Sequence, residues 1–480
     1  MNLAAFVLHH GRYRPSAIAI EFGRETLTYS ALAERVRQMA ACLKDRGVKS
    51  GDVIGLRIKD RPEHIVTLLA ILKVGGIVLP LDWRATVEEC ESVISRFPPT
   101  AVIDEGELPP GTFATIRPAD ADGYAPDPSA SAGVVDQAAV YSLTSGTTGA
   151  PKAIVLTHEE FFGRLTSFHA EGIILQNDRF LSPLPLAYSA GRVLALTALT
   201  FGATLVMFPS MFDAQELVRA VNDRAITALA VSPNVSRELL GLRGATKLMP
   251  DLRLFISTTG RLHAEERLSL LDRVTPRLVD YYGSTGGGLI ALFQTEDRDR
   301  AAAAAGRPGF GAELEVVDES GATVAADEVG WIRVRRPGVT TRFVGDAPTG
   351  DEGLRHGWYY PGDLGYLDAS GYLYLTGRTA DLIKRGGLMV HAQEVERVIA
   401  SHEAVLEAAV VGLPSAELGE TVGAFVRLKG EVTQKDLIAF CRAHLAPYKI
   451  PASVTFVEAL PRNANGKVVK ADLVKLASKT

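Results

Sequence analysis

The sequence predicts an α/β fold: a large N-terminal domain of helix-covered, mostly parallel sheets with a β-rich subdomain, followed by a small α+β C-terminal domain. Helix and strand patterns alternate through the first hundred residues, short hairpin-like runs begin near residue 306, and a compact helix-and-strand tail ends the chain. A chain of 480 residues also exceeds the length at which one hydrophobic core keeps growing. We therefore place the two domains at residues 1–378 and 379–480.

The N-terminal segments justify the parallel sheet. YSALAERVRQMAACLKDRG repeats apolar residues at helical spacing and stops at Gly47, and a second helix, PEHIVTLLAILKVGG, opens at Pro62. The runs DVIGLRI and IVLPL follow these helices and are typical of buried strands. Such alternation predicts parallel strands covered by helices.

The later segments differ in texture. Residues 104–138 are rich in Pro, Asp, Gly and Ala, which predicts a loop between subregions. The run from residue 306, GRPGFGAELEVVDESGATVAADEVGWIRVRRPGV, predicts β-hairpins. The longest uncharged apolar stretch, residues 193–208, is shorter than the roughly 20 residues that span a bilayer, and Gly202 interrupts it. We expect a helix followed by a buried strand there.

Composition narrows the function classes. The net charge of -5 is spread without long runs of one sign, which argues against nucleic acid as a partner. Cys42, Cys90 and Cys441 lie far apart without CxxC spacing, so neither a disulfide framework nor a zinc site is predicted. MNLAAFVLHHG is too short and too poor in basic residues for a secretory signal. We expect a cytoplasmic protein without a membrane span.

The segment YSLTSGTTGAPKAIVLTH, residues 141–158, is the clearest chemical motif. Its glycines let successive N–H groups point one way, its hydroxyls add donors, and its lysine adds a positive charge, all of which suits phosphate. It lacks the spacing of a Walker A loop, and a polar hairpin of turn residues is the alternative. The candidate phosphate-binding residues are Thr144, Ser145, Gly146, Thr147, Thr148, Gly149 and Lys152.

This segment resembles the signature loop of the adenylate-forming superfamily, which contains acyl-CoA synthetases, adenylation domains of peptide synthetases and luciferases. Further similar motifs follow in the family's order: DYYGSTGG at 280–287, WYYPGDLGYLDASGYLYLTGRTADLIKRGG, and PRNANGKVVKADL near the C-terminus. The resemblance covers nearly the whole chain and is closest in pattern to bacterial acyl-CoA ligases. Chance turns would not keep that order.

The resemblance implies a two-step reaction. A carboxylate attacks the α-phosphate of ATP to give an acyl-adenylate and pyrophosphate, and a thiol, usually that of coenzyme A, then displaces AMP. It also implies a C-terminal domain that is mobile and rotates between the two steps. The implied hinge lies at Ala380, where the family carries Asp or Lys, with Asp381 able to share the role, and the implied thiolation loop contains Lys384, Gly386 and Gly387.

The resemblance assigns roles to matching residues. Tyr282 offers an aromatic face to adenine, Asp363 accepts hydrogen bonds from the ribose hydroxyls, and Lys467 stabilises transition-state charge. Thr285, Arg378 and Lys467 are the implied catalytic residues. The structural alternatives are a core aromatic residue for Tyr282, a turn residue for Asp363, and surface charges for Arg378 and Lys467. The remaining implied nucleotide-binding residues are Thr259, Gly260, Arg261, Asp280, Tyr281, Gly283 and Ser284.

One departure concerns magnesium. The family carries an acid after the threonine, where it helps to hold the Mg²⁺ that accompanies ATP, and this chain has Gly286. Glycine offers no side-chain oxygen, so we expect no protein carboxylate on the metal there and a cation held mainly by phosphates. The glycines could instead widen the acyl pocket. Glu296 and Asp297 lie about ten residues further on, too far along the chain to substitute unless a loop brings them back.

The acyl pocket is weakly encoded. The implied acyl-binding residues are Tyr188, Ser189, Gly191, Ser284 and Gly286. Most are small, which favours a medium apolar or aromatic acid. Tyr188 replaces the family's usual histidine, and Pro361 and the segment STTGR (257–261) are further departures. Arg192 could pair with a second carboxylate or could be solvated at a helix start.

Three functions remain open from the sequence. The first is an ATP-dependent acid–CoA ligase. The second is an acyltransferase that only converts a preformed acyl-adenylate to a thioester, which a missing metal ligand would favour. The third is a non-catalytic relative that binds a ligand, which the presence of Lys467 disfavours. A carrier-protein thiol could replace coenzyme A in the first two.

Overall fold

The chain folds into two compact units. The computed structural model describes residues 2–106, 108, 113–129, 131, 136–145, 151–209, 211–244, 247–344, 352–415, 417–462 and 468–477. The first unit comprises Met1–Leu314, Val334–Thr349 and Leu354–Tyr359, and the second comprises Glu315–Arg333, Gly350–Gly353 and Tyr360–Thr480. The predicted domain boundary after Arg378 stays a prediction.

The helices of the described residues are, in chain order, α1 (Leu3–Tyr13), α2 (Tyr29–Asp45), α3 (Pro62–Lys73), α4 (Val87–Arg96), α5 (His158–Ala170), α6 (Ser189–Thr200), α7 (Ala214–Asp223), α8 (Pro233–Gly241), α9 (Ala264–Arg273), α10 (Arg298–Ala301), α11 (Ala392–Ala400), α12 (Gln434–His444) and α13 (Lys470–Ala477).

The strands are β1 (Ile18–Phe22), β2 (Glu25–Thr28), β3 (Val53–Arg57), β4 (Ile77–Pro80), β5 (Ala101–Asp104), β6 (Ala114–Ile116), β7 (Ala138–Ser145), β8 (Pro151–Thr157), β9 (Arg179–Ser182), β10 (Thr204–Met207), β11 (Ala228–Val231), β12 (Leu254–Ser257), β13 (Leu278–Ser284), β14 (Gly288–Gln294), β15 (Arg307–Pro308), β16 (Glu313–Val317), β17 (Gly330–Arg335), β18 (Arg342–Val344), β19 (Glu352–Arg355), β20 (Trp358–Pro361), β21 (Asp363–Leu367), β22 (Leu373–Arg378), β23 (Leu382–Arg385), β24 (Leu388–His391), β25 (Val405–Ser415), β26 (Gly419–Leu428) and β27 (Ser453–Phe456).

The first predicted helix shows why the N-terminal segments fold as they do. Thr28 caps α2 by accepting a hydrogen bond from the Ala31 N–H, and the helix ends before Gly47, whose φ of 83° suits glycine. Its apolar stripe, which includes Leu32 and Val36, is fully buried. The amphipathic helix predicted from spacing is confirmed.

Two large sheets form the first unit. One has the order β18-β8-β7-β4-β3-β5-β6, in which β3 pairs in parallel with β4 and β5. The other has the order β15-β14-β13-β12-β11-β9-β10-β1-β2, with parallel pairs from β1 through β13 and an antiparallel hairpin from β13 to β14. The prediction of helix-covered, mostly parallel sheets is confirmed, including the helix and buried strand predicted at 193–208, now α6 and β10.

The second unit contains the mixed tail that the sequence predicts. β25 and β26 pair antiparallel, and β27 joins β26 in parallel. Helices α11 and α12 cover them, and Ile383, Val395 and Leu437 are buried in the shared core. Among the described residues, no helix is long and apolar enough to cross a membrane.

His158 makes the first unit sensitive to acid. It begins α5, is fully buried, and accepts a hydrogen bond at Nδ1 from the Leu3 N–H at 3.2 Å. Burial lowers the pKa of His158 to about 4. Because the unfolded chain binds a proton near pH 6.5 and the folded chain does not, stability is lost as the pH falls from 6.5 to 4.

We predict that His158→Gln flattens this pH dependence. The native protein should lose about 3 kcal/mol of unfolding free energy between pH 6.5 and pH 4 through this residue, and the variant should lose less over the same interval. Urea unfolding at several pH values measures the slope. His9→Gln, at an exposed position of α1, is the control. Equal slopes for the native protein and the His158 variant would contradict the prediction.

Candidate active site

The predicted phosphate loop connects two paired strands. β7 and β8 are antiparallel, with Thr144 opposite Lys152 and Ser145 opposite Pro151. The loop residues Gly146, Thr147, Thr148 and Gly149 lie outside the described residues, as do the side chains of Thr144 and Ser145. The strands on either side of the loop are paired neighbours, and its phosphate-binding role stays a prediction.

The STTGR segment lies beside the start of the tyrosine motif. Ser257, at the end of β12, pairs with Asp280 of β13, so the parallel strands bring Thr258 and Thr259 close to Tyr281. Thr259 has a φ of 74°, a left-handed conformation that is unusual for a β-branched residue. Strained backbone of this kind clusters at functional sites, and residue type alone did not indicate it. Arg261 contributes its carbonyl to the Arg237 guanidinium at 3.0 Å.

The three residues at the start of the tyrosine motif point to different surroundings. Asp280 is buried and accepts from Arg267 at 2.6 and 2.8 Å. Tyr281 is buried, with its ring edge-on to Phe168 at 5.1 Å. Tyr282 is only partly buried. The side chains of Asp280 and Tyr281 therefore support the fold, and Tyr282 is the member of this group available to stack on an adenine.

The residues after Tyr282 make a tight turn between β13 and β14. Ser284 pairs with Gly288, and the Ser284 Oγ accepts a hydrogen bond from the Gly287 N–H at 2.9 Å. A Cβ at Gly283 would lie 2.4 Å from the Gly288 carbonyl oxygen, so close backbone approach requires glycine there. The glycines of this segment therefore have packing reasons of their own.

Arg164, which sequence reasoning missed, donates hydrogen bonds to the backbone of this turn. This fully buried residue of α5 donates at 2.7 Å to each of the carbonyls of Thr285, Gly286 and Gly338. Burial lowers the pKa of its guanidinium to about 10. Because the C=O and N–H groups of a trans peptide point in opposite directions, the N–H of Gly286 points away from Arg164. Arg164 thus fixes the orientation of the peptide groups at the turn.

Tyr188 is tied to a carboxylate. Its hydroxyl donates to Asp82 Oδ2 at 2.9 Å, and Arg84 donates two hydrogen bonds of 2.9 Å to the same carboxylate. Ser189 begins α6, and a Cβ at Gly191 would lie 2.4 Å from the Pro185 carbonyl oxygen. The predicted acyl-binding loop is therefore packed closely, and Tyr188 is held in one orientation.

Arg192 is not solvated, so that alternative is wrong. It is fully buried and donates to the carbonyls of Leu186 and Ala187 at 3.1 and 2.9 Å and to Ser142 Oγ at 2.9 Å. Burial lowers the pKa of Arg192 to about 9. Its contacts join the predicted acyl-binding loop to β7, the strand that leads into the predicted phosphate loop.

Two predicted nucleotide-binding residues meet in the second unit. Asp363 and Arg378 are partners across β21 and β22, and Arg378 Nε lies 3.0 Å from Asp363 Oδ1. Asp363 is buried, and the Arg378 side chain is 52% exposed. A carboxylate oriented by a neighbouring guanidinium suits the recognition of paired hydroxyl groups.

The second unit also contains the predicted thiolation loop. Gly386 and Gly387, with φ of 56° and 81°, turn the chain between β23 and β24. The side chains of Lys384, Leu388 and Met389 around this turn are exposed. The structure therefore brings the three predicted loop residues together on an accessible hairpin.

The predicted hinge lies next to a half-buried lysine. Asp381 pairs with Lys470 at 3.1 Å, and Lys470 also pairs with Glu396 at 2.9 Å. The Ala380 side chain and the whole of Lys467 lie outside the described residues. The role of Lys467 stays a prediction.

The acidic residues near the turn at Gly286 bear on how a metal could be held. The described residues contain no group of three or more His, Cys, Asp or Glu side chains that could bind a metal ion. Glu296 and Asp297 lie beyond β14, at the opposite end of the hairpin from Gly286, and Glu296 pairs with Arg277 at 3.4 Å. A seven-residue strand spans about 20 Å, so these acids do not replace one at 286.

Similarity to known proteins extends over nearly the whole chain. A family profile described as AMP-binding enzyme matches residues 8–344, and one described as AMP-binding enzyme C-terminal domain matches residues 394–467. The chain is 28% identical over 467 residues to a 2-succinylbenzoate–CoA ligase of Bacillus cereus, covering 96% of each chain. It is 30% identical over 473 residues to the Geobacillus kaustophilus ligase of the same name, covering 97% of this chain and 96% of that one.

Two solved structures are similar to this chain over nearly its whole length. The o-succinylbenzoate CoA synthetase of Bacillus subtilis, in complex with the acyl-adenylate intermediate OSB-AMP, matches with a TM-score of 0.88 and 25% identity over 98% of this chain and 97% of that chain. ATP-bound MatB from Rhodopseudomonas palustris matches with a TM-score of 0.89 and 27% identity over 99% of each chain.

We predict that Arg164→Met destabilises the protein by about 2–4 kcal/mol, because it removes a side-chain donor from three backbone carbonyls. The Gly286 carbonyl keeps the Thr340 N–H as a second donor. Urea unfolding measures the change. Arg219→Met, at an exposed position of α7, is the matched control and should change stability by less than about 0.5 kcal/mol. Equal effects of the two substitutions would contradict the role assigned to Arg164.

Proposed function

Because the chain belongs to the AMP-binding enzyme family, we propose that it is an ATP-dependent carboxylic acid–CoA ligase that forms an acyl-adenylate and then an acyl-CoA thioester. The observation that carries this proposal is the match over 96% of the chain to CoA ligases. The pairing of Asp363 with Arg378, at the positions assigned to ribose and phosphate, supports it.

The reaction follows from the residues and the two substrates. In the first step an oxygen of the substrate carboxylate bonds to the α-phosphorus of ATP, and the bond to pyrophosphate breaks. In the second step the thiol sulfur of coenzyme A attacks the acyl carbon, loses its proton, and AMP leaves. Asp363 would hold the ribose hydroxyls, and Thr285, Arg378 and Lys467 would stabilise the charge that concentrates on the phosphate oxygens.

The acid is proposed to be aromatic or medium apolar. Tyr188 offers a ring fixed by Asp82. The curated relatives act on 2-succinylbenzoate, an acid of this class according to its name. The buried free cysteines Cys42, Cys90 and Cys441 support the expected cytoplasmic location.

A second function has a specific observation in its favour. The turn at Gly286 offers no carboxylate to a metal, which weakens the first step and leaves the second unaffected. An acyltransferase that accepts only preformed acyl-adenylates would show this pattern. A carrier-protein thiol is the alternative to coenzyme A in either case.

The deciding experiment uses two reactions analysed by mass spectrometry. One contains the protein, ATP, Mg²⁺, coenzyme A and a pool of carboxylic acids that includes 2-succinylbenzoate. The other contains synthetic acyl-adenylates and coenzyme A without ATP. Acyl-CoA and AMP in the first reaction support the ligase and identify the acid. Thioester that forms only in the second reaction supports the acyltransferase. If thioester forms in neither reaction, both the ligase and the acyltransferase are excluded.

We predict that Asp363→Asn raises the KM for ATP about 10- to 100-fold, because hydrogen bonds to a charged acceptor are worth about 1.5–3 kcal/mol. Initial rates of pyrophosphate release at varied ATP measure the effect. Glu431→Gln, at an exposed position of the same unit, should leave the KM unchanged. An unchanged KM in the Asp363 variant would remove this residue from the nucleotide site.

A further inference from the structure

Gly286 lies directly against the ring of Tyr359. A Cβ placed on Gly286 would be 2.2 Å from Cζ, 2.3 Å from Oη and 2.4 Å from Cε2 of that tyrosine. Real Cβ atoms essentially never approach other atoms this closely. Gly286 does not have a positive φ, so its backbone conformation would accept other residues. The constraint at position 286 is therefore steric and comes from Tyr359.

Neither partner can move aside easily. Tyr359 is fully buried in a cluster with Ile290, Val334 and Val339, and its strand pairs with Val334. The Gly286 carbonyl accepts from Arg164 at 2.7 Å and from the Thr340 N–H at 3.0 Å. Because closely packed interiors relax little, a side chain at 286 would force the ring or the turn out of place.

We propose that Gly286 and Tyr359 form one steric unit, in which the tyrosine ring fills the volume that a side chain at position 286 needs. The turn therefore cannot present a carboxylate to a divalent cation while Tyr359 is in place. Tyr359 is a positioning residue that determines which residue the turn accepts.

The metal part of this inference rests on the proposed function. The described residues offer no other cluster of metal ligands. The cation that accompanies ATP would then receive its oxygens from the phosphates and water, which are hard ligands of the kind that Mg²⁺ prefers. Making room at Tyr359 and placing an acid at 286 should create a tighter site for the cation.

The steric part is tested by thermal unfolding of the full chain, which does not depend on activity. Gly286→Ala should lower the apparent melting temperature by at least about 2–4 °C. Gly241→Ala, where the added Cβ meets nothing within 4 Å, should not lower it. In a Tyr359→Ala background, adding Gly286→Ala should cause no further loss; in a Tyr359→Phe background, which keeps the ring, the loss should persist.

These outcomes decide the steric part. If Gly286→Ala is tolerated in the native background, or lowers the melting temperature equally in the Phe and Ala backgrounds, the steric unit is excluded. Tyr359→Leu repeats the comparison with a smaller cavity should Tyr359→Ala not fold. If Gly286→Ala restores folding to the Tyr359→Ala or the Tyr359→Leu variant, that result also supports the inference.

The metal part compares Tyr359→Ala with the double variant Gly286→Glu/Tyr359→Ala. The Mg²⁺ concentration for half-maximal acyl-adenylate formation should fall about tenfold or more in the double variant. An unchanged requirement in an active double variant overturns the metal part alone. If neither the native protein nor any variant forms acyl-adenylate, the proposed function fails. The unfolding data still decide whether Gly286 and Tyr359 form the steric unit.

Discussion

The guanidinium of Arg164 orients the turn on which the candidate site of the first unit depends. It is buried without a carboxylate contact among the hydrogen bonds described for it, and it donates instead to three backbone carbonyls, from Thr285, Gly286 and Gly338. A buried charge of this kind is costly unless each donor is matched, so the three carbonyls and the arginine stabilise one another's positions. The turn consequently has one arrangement, and the packing of Tyr359 against Gly286 follows from it.

The same arrangement recurs at the predicted acyl-binding loop. Arg192 donates to the carbonyls of Leu186 and Ala187 and reaches Ser142 of a neighbouring strand. Both loops are therefore held by a buried arginine. Catalytic groups must be held close to their productive geometry. Hydrogen bonds from a buried arginine to the loop backbone provide the support that a preorganised site requires.

The sequence predicted what is local. Apolar spacing and the stop at Gly47 were sufficient for α2, and the family resemblance, not residue spacing, assigned Asp363 and Arg378 to the nucleotide. It did not predict Arg164, because its partners lie 121 or more residues away and are backbone carbonyls, which leave no trace in residue type. The missing acid at Gly286 was visible in the sequence, but its physical cause was not, because only tertiary packing places Tyr359 beside it.

Lys470 has a mechanical consequence within the second unit. Its two ion pairs, with Asp381 and Glu396, join the first turn of α13 to the segment at the predicted hinge and to α11. Arg462 and Val468 form an isolated antiparallel β-bridge shortly before α13. The lysine therefore links three segments of the second unit, so that a displacement of residues 379–381 would carry α11 and the start of α13 with it.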